Sequence, residues 1–103
     1  MSYLIIWSEH ARADLQHIYD FIAEDSIYYA EIEIVKIKNA TEILLKNPTT
    51  GRMVPEIENK EIREIIQGNY RIIYKIIDKE QVAILTVHHG ARLFKTNMFI
   101  TPE

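Results

Sequence analysis

The sequence predicts an α+β domain, with an N-terminal strand and a helical hairpin packed on one face of a small antiparallel sheet. Three observations lead there. The first half of the chain carries two apolar runs at helical spacing, the second half carries three β-branched or aromatic runs, and a cluster of turn residues lies between them. At 103 residues, 48% hydrophobic and 26% charged, the chain has the composition of one globular unit, so residues 1–103 are expected to form a single domain.

Tyr3 to Trp7 is short, aromatic and β-branched, and reads as a strand. Ser8 then offers a helix N-cap, after which Ala11, Leu15, Ile18 and Ile22 recur at spacings of four, three and four, one face of a helix reaching about Glu24. Glu9, Arg12, Gln16 and Asp20 fall on its other face. Asp25-Ser26 interrupts the pattern. A second periodic run follows through Ile27, Ala30, Ile34, Ile37, Thr41 and Leu44 and stops at Asn47-Pro48, so two antiparallel helices are expected.

Pro48-Thr49-Thr50-Gly51 is a turn cluster, and Pro55 confines any strand near Met53 to a sheet edge. Glu61–Ile66, Tyr70–Ile77 and Val82–His88 read as three strands, joined by connections short enough for hairpins and hence for an antiparallel meander. Period two places Tyr70, Ile72, Tyr74 and Ile76 on one side of the middle strand, the better surface for the helices. Arg71, Ile73, Lys75 and Ile77 share the other side, expected to be solvent-facing or to await a partner.

Composition excludes several function classes. With no cysteine there are no disulfides, thiolate metal clusters or cysteine nucleophiles, and a cytoplasmic location is expected. The N-terminal apolar run is too short for a signal peptide or a membrane span. No GxSxG elbow or phosphate-cradling glycine loop occurs, the three glycines being isolated, so no cofactor is expected. His88 and His89 point to opposite faces if they lie on a strand, and no metal site is expected. His10 and His17 belong to a solvated helix face.

The formal net charge of −3 argues against broad electrostatic binding of nucleic acid. Its distribution is uneven: residues 1–62 carry 11 acidic and 6 basic side chains, residues 63–103 carry 4 and 6. Arg63, Arg71, Lys75 and Arg92 concentrate in the C-terminal part, with His88 or His89 near the last. Arginine can stabilise a phosphorane-like transition state and histidine can move protons, so such a cluster suits metal-free RNA cleavage through the 2′-hydroxyl. Arg and Lys at solvent-facing strand positions also blunt aggregation, which accounts for the same residues without catalysis.

Taken in order, the strand ending in Trp7-Ser8, the segment Ala11 to Tyr19, Asn47-Pro48-Thr49-Thr50-Gly51, Asn69-Tyr70-Arg71-Ile72-Ile73-Tyr74 and Val87-His88-His89-Gly90-Ala91-Arg92 resemble the RelE/ParE superfamily of bacterial toxins over nearly the whole chain. The resemblance implies the toxin of a type II toxin-antitoxin module of the plasmid-stabilisation kind, neutralised by a cognate antitoxin whose C-terminal segment wraps around it. A homodimer or a heterotetramer with the antitoxin fits that picture. ParE-like members poison DNA gyrase and arrest growth, whereas RelE-like members cleave mRNA on the translating ribosome. For a ribonuclease the candidate catalytic residues are Arg71, Arg92 and His89. The pattern departs from RelE-like enzymes in having no tyrosine after Tyr74, with Thr96, Met98 and Phe99 in the tail, and in its acidic balance. Both departures favour gyrase poisoning. A third reading is a non-toxic relative that only binds and is stable in complex. For the antitoxin, the expected contact residues are Arg63, Arg71, Ile73, Lys75 and Ile77, opposite an acidic amphipathic segment.

Overall fold

The computed structural model describes residues 2–90. Strand β1 (Leu4–Trp7) leads into α1 (Glu9–Ala23) and α2 (Ile27–Ala40), and 3₁₀ turns at Thr41–Leu45 and Pro48–Thr50 lead on to β2 (Arg52–Met53), β3 (Ile62–Gln67), β4 (Tyr70–Ile76) and β5 (Gln81–His89). The five strands form one sheet in the order β1-β5-β4-β3-β2. β3, β4 and β5 are the expected antiparallel meander. β1, however, lies parallel to β5, so the sheet is mixed. The chain leaves β1 through the helices and returns beside it only after the meander has turned twice. The Leu4 amide donates to the Glu80 carbonyl and the Ser8 amide to the Ile84 carbonyl.

Local chemistry accounts for the element boundaries. The Ser8 side chain caps α1 by accepting from the Ala11 amide at 3.0 Å, and its hydroxyl donates to the Leu85 carbonyl at 3.1 Å, tying the helix start to β5. Ser26 caps α2 through the Tyr29 amide at 3.1 Å. The second helix stops before the apolar run does. Thr41 donates its hydroxyl to the Lys38 carbonyl at 2.7 Å, and the chain tightens into a 3₁₀ turn that still delivers Leu44 to the core. Ile27, expected on the inner face, is instead 60% exposed. Between β3 and β4 a two-residue loop places Gly68 at φ +59°, which permits a hairpin in which Gln67 pairs with Tyr70.

The helices cover one sheet face as expected. Ala11, Leu15, Ile37, Leu44, Ile72, Tyr74, Val82, Ile84 and Val87 form the main core, with Tyr70 and Ile76 packed against it. The other face is not uniformly open, which corrects the expectation for Ile73. That residue is fully buried in a second cluster with Val54 and Ile62, flanked by Ile57 and Leu85. The segment joining β2 to β3 folds back over this half of the sheet, with the Ile57 and Glu58 amides donating to the Val54 carbonyl. Toward β1 the same face stays open, and there Leu4 and Ile6 are 59% and 41% exposed.

Tyr74 joins the turn at 48–51 to the sheet. Its buried hydroxyl donates to the Pro48 carbonyl and accepts from the Gly51 amide at 3.0 Å. Burial raises its pKa, partly offset by the Gly51 amide and the Arg63 charge, so the phenol keeps the proton it donates. A Cβ at Gly51 would lie 2.4 Å from that hydroxyl and 2.6 Å from the Glu64 carbonyl oxygen, so only glycine fits. Tyr74→Phe orphans a buried amide and a buried carbonyl and is expected to lower stability by about 1–3 kcal/mol. Equilibrium urea unfolding measures the loss, and an unchanged midpoint would show that the clasp contributes nothing.

Candidate functional site

Glu64 sits in β3 between Arg52, its neighbour on β2, and Arg71 on β4. A fully buried carboxylate needs counter-charge and hydrogen bonds. Arg52 Nε donates to Glu64 Oε2, and Arg71 Nε donates to Oε1 at 2.7 Å. The remaining edge of the Arg71 guanidinium is taken by Glu56 from the covering segment, which accepts from Nη1 at 3.0 Å and Nη2 at 2.9 Å. This bidentate fork is the geometry a phosphate would use. It holds the Glu56 carboxyl below its ordinary pKa, chiefly through the hydrogen bonds from Arg71, and Glu56 in turn raises the pKa of Arg71.

The sheet register distributes the other candidates. His88 lies directly across from Arg71 and is 5% exposed, whereas His89 lies across from Tyr70. Arg71 and His89 therefore occupy opposite faces, and the structure does not bring them together. His89 packs edge-on against the Tyr70 ring, centroids 5.3 Å apart. There it lines a cavity of about 570 Å³ with Asp14, His17, Ile18, Phe21 and Val87 on the helical side. Burial raises the Tyr70 pKa, with the Glu33 charge adding to it. Asp14 accepts from the Thr86 hydroxyl and, at 3.0 Å, from the Val87 amide. A bulge at Leu85, where Ile73 pairs with Thr86 but Tyr74 with Ile84, brings β5 into that position. Arg92 lies outside the described residues.

The five expected antitoxin contacts also divide. Arg63 pairs with Tyr74 on the helical side, where its Nη1 donates to the Gly51 carbonyl at 2.9 Å while its Nε is buried with no hydrogen-bond partner among the described residues. Arg71 is held by its two carboxylates, and Ile73 is buried. Lys75 is half-buried across from Ala83, and Ile77 is 44% exposed just beyond β4, so these two remain open to a partner. Glu56 and Glu64 were missed at the level of sequence. The one available signal was an acid alternating with Ile62 and Ile66 on one face of the strand, which asks for a cation on the neighbouring strand. Among the described residues, no group of three His, Asp or Glu is placed to hold a metal ion, and no helix is long and apolar enough to cross a membrane.

The small mixed sheet with a helical hairpin on one face is the fold of RelE/ParE superfamily toxins, and the family match places the chain among them. Within it, the chain belongs to the family described as ParE toxin of type II toxin-antitoxin system, parDE, whose model matches residues 5–94. Toxin RelE2 of Caulobacter vibrioides is 28% identical over 89 residues, 86% of this chain and 97% of that protein. The fold is similar to that in the chromosomal ParDE TA system from P. aeruginosa, with TM-score 0.69 and 19% identity over 84% of this chain and 95% of that one. It is similar also to that in the toxin-antitoxin complex RelBE2 from Mycobacterium tuberculosis, with TM-score 0.60 and 23% identity over 86% and 99%.

Glu64→Ala leaves Arg71 and Arg52 without their shared buried acid and is expected to destabilise the fold by about 3–5 kcal/mol in urea unfolding. A loss under 1 kcal/mol would show that water replaces the carboxylate. For Glu56 the folded pKa lies below the unfolded value of 4.5, so its contribution is complete above that value and disappears as pH falls through the folded one. The pair is partly exposed, so Glu56→Gln is expected to cost no more than about 1 kcal/mol at pH 7. The two proteins should converge in stability in acid, and a gap that does not narrow as pH falls below 4.5 would contradict the pairing.

Proposed function

We propose that this ParE-family toxin arrests growth by poisoning DNA gyrase in the cytoplasm and is neutralised by a cognate antitoxin, as in a plasmid-stabilisation module. The observation that carries the reading is the state of Arg71. Three of its guanidinium N–H groups donate to Glu56 and Glu64, and His89, the candidate catalytic histidine, lies on the other face. A metal-free ribonuclease needs a cation and a proton carrier converging on one phosphate. The family match and the net charge of −3 support the same side.

A ribonuclease is the second reading, favoured by the pairing of His88 with Arg71 on one face. In that case His88, rather than His89, would be the histidine nearest the phosphate-binding arginine. Expression without antitoxin, followed by mapping of mRNA ends and of chromosome breaks in the same cells, separates the two. Gyrase-dependent double-strand breaks with intact mRNA are expected. Cleavage inside reading frames on ribosomes would overturn the assignment, and unimpaired growth would point to a relative that only binds.

A further inference from the structure

The cavity of about 570 Å³ between α1 and the β4–β5 layer has the size of a small-molecule cleft, roughly 300–1,000 Å³. Its lining is uneven in charge. Asp14 lines it, and Glu33 of α2 stands close enough for its charge to raise the pKa of Tyr70 on the wall, whereas no described Lys or Arg lines it. The rest of the wall is apolar or aromatic: Val87 is buried, Ile18 and Ile22 are half-buried, and Phe21 at the rim is 75% exposed. Asp14 commits only one oxygen to the fold. Its Oδ2 accepts from the Thr86 hydroxyl and the Val87 amide and lies 3.6 Å from His10 Nε2, while no described residue bonds Oδ1. The carboxylate is therefore fixed in place by β5 with an acceptor still to offer, and a preorganised group costs less to engage.

We propose that this cavity binds a small organic cation, an ammonium carried on an aromatic or aliphatic body, with the ammonium at Asp14 and the body against Phe21, Tyr70 and Val87. Phosphates and nucleotides are disfavoured, because Asp14 and Glu33 oppose them and no lining cation receives them. A neutral aromatic would fill the apolar part and leave Asp14 Oδ1 covered without a donor, which costs binding free energy. An ammonium gains from the carboxylate and from the faces of the two aromatic rings together. The proposal does not depend on the toxin reading.

Tryptamine, tryptophol and indole-3-acetate carry one ring with a cationic, a neutral and an anionic chain. Calorimetric titration of each into the full chain at about pH 8, where a free imidazole is neutral, isolates the contribution of ligand charge. Tryptamine is expected to bind saturably, tryptophol about fivefold more weakly, and indole-3-acetate not measurably. Asp14→Asn keeps an oxygen for the Val87 amide but removes the charge, and should weaken tryptamine about tenfold. Phe21→Ala, at the exposed rim, should weaken it about threefold, while Tyr28→Ala, an exposed aromatic outside the cavity, should leave it unchanged. Thermal melts show which variants are folded at the titration temperature, and if Asp14→Asn is not, Phe21→Ala and the three indoles decide. No saturable heat from tryptamine, equal affinity for the three indoles, or unaltered affinity in either folded cavity variant would each overturn the proposal. The titration requires no growth arrest, so its failure and the failure of the toxin reading are separate results.

Discussion

Glu64 is a carboxylate with no exposed side-chain surface, placed between Ile62 and Ile66 along its strand face and directly across from Ile73. An ionised acid there is tolerable only with counter-charge in direct contact, and the strand order supplies one arginine from each neighbouring strand. The consequences extend outward. Arg71 is pinned at one edge by Glu64, and its outer edge then recruits Glu56, which draws the β2–β3 segment down over Ile73. One buried charge thus organises the short edge strand, the covering segment and the second hydrophobic cluster.

β4 carries the complementary constraint, because both of its faces are buried by different layers. Ile72 and Tyr74 pack beneath the helices, while Ile73 packs beneath the covering segment. Its polar ends are satisfied on both sides, the Tyr74 hydroxyl by Pro48 and Gly51 and the Arg71 guanidinium by Glu56 and Glu64. The strand that looks most like a functional strip in the sequence is therefore also the structural centre of the domain. Substitutions at Arg71 will mix effects on folding with effects on function unless stability is measured alongside activity.

Much of the fold was legible because it rests on local pattern. The helical spacings from Ala11 to Ile22, the Ser8 and Ser26 caps, the Gly68 hairpin and the alternation in β4 are each decided within a few residues. What was hidden depends on long-range register. The parallel pairing of β1 with β5 joins the two ends of the described chain, and the bulge at Leu85 that brings Thr86 to Asp14 has no signature in a run of β-branched residues. The covering of Ile73 was illegible for the same reason. Pro55 argued for a short edge strand, but nothing local indicated that the segment after it would fold back onto the sheet. The candidate site was legible in residue type and not in partnership: Arg71 was found, and the carboxylates that hold it were not.

Those partnerships bear on mechanism through competition. A phosphate approaching Arg71 must take the two donors that Glu56 now holds at 2.9 and 3.0 Å, and it must do so beside the buried charge of Glu64. Displacing a partly exposed carboxylate is a modest cost, but the incoming phosphodiester anion also meets repulsion from Glu64, and the histidine on that face is itself buried. A toxin that acts by protein contact faces no such requirement. The same four charges that stabilise the sheet thus set a threshold against phosphate chemistry at its centre.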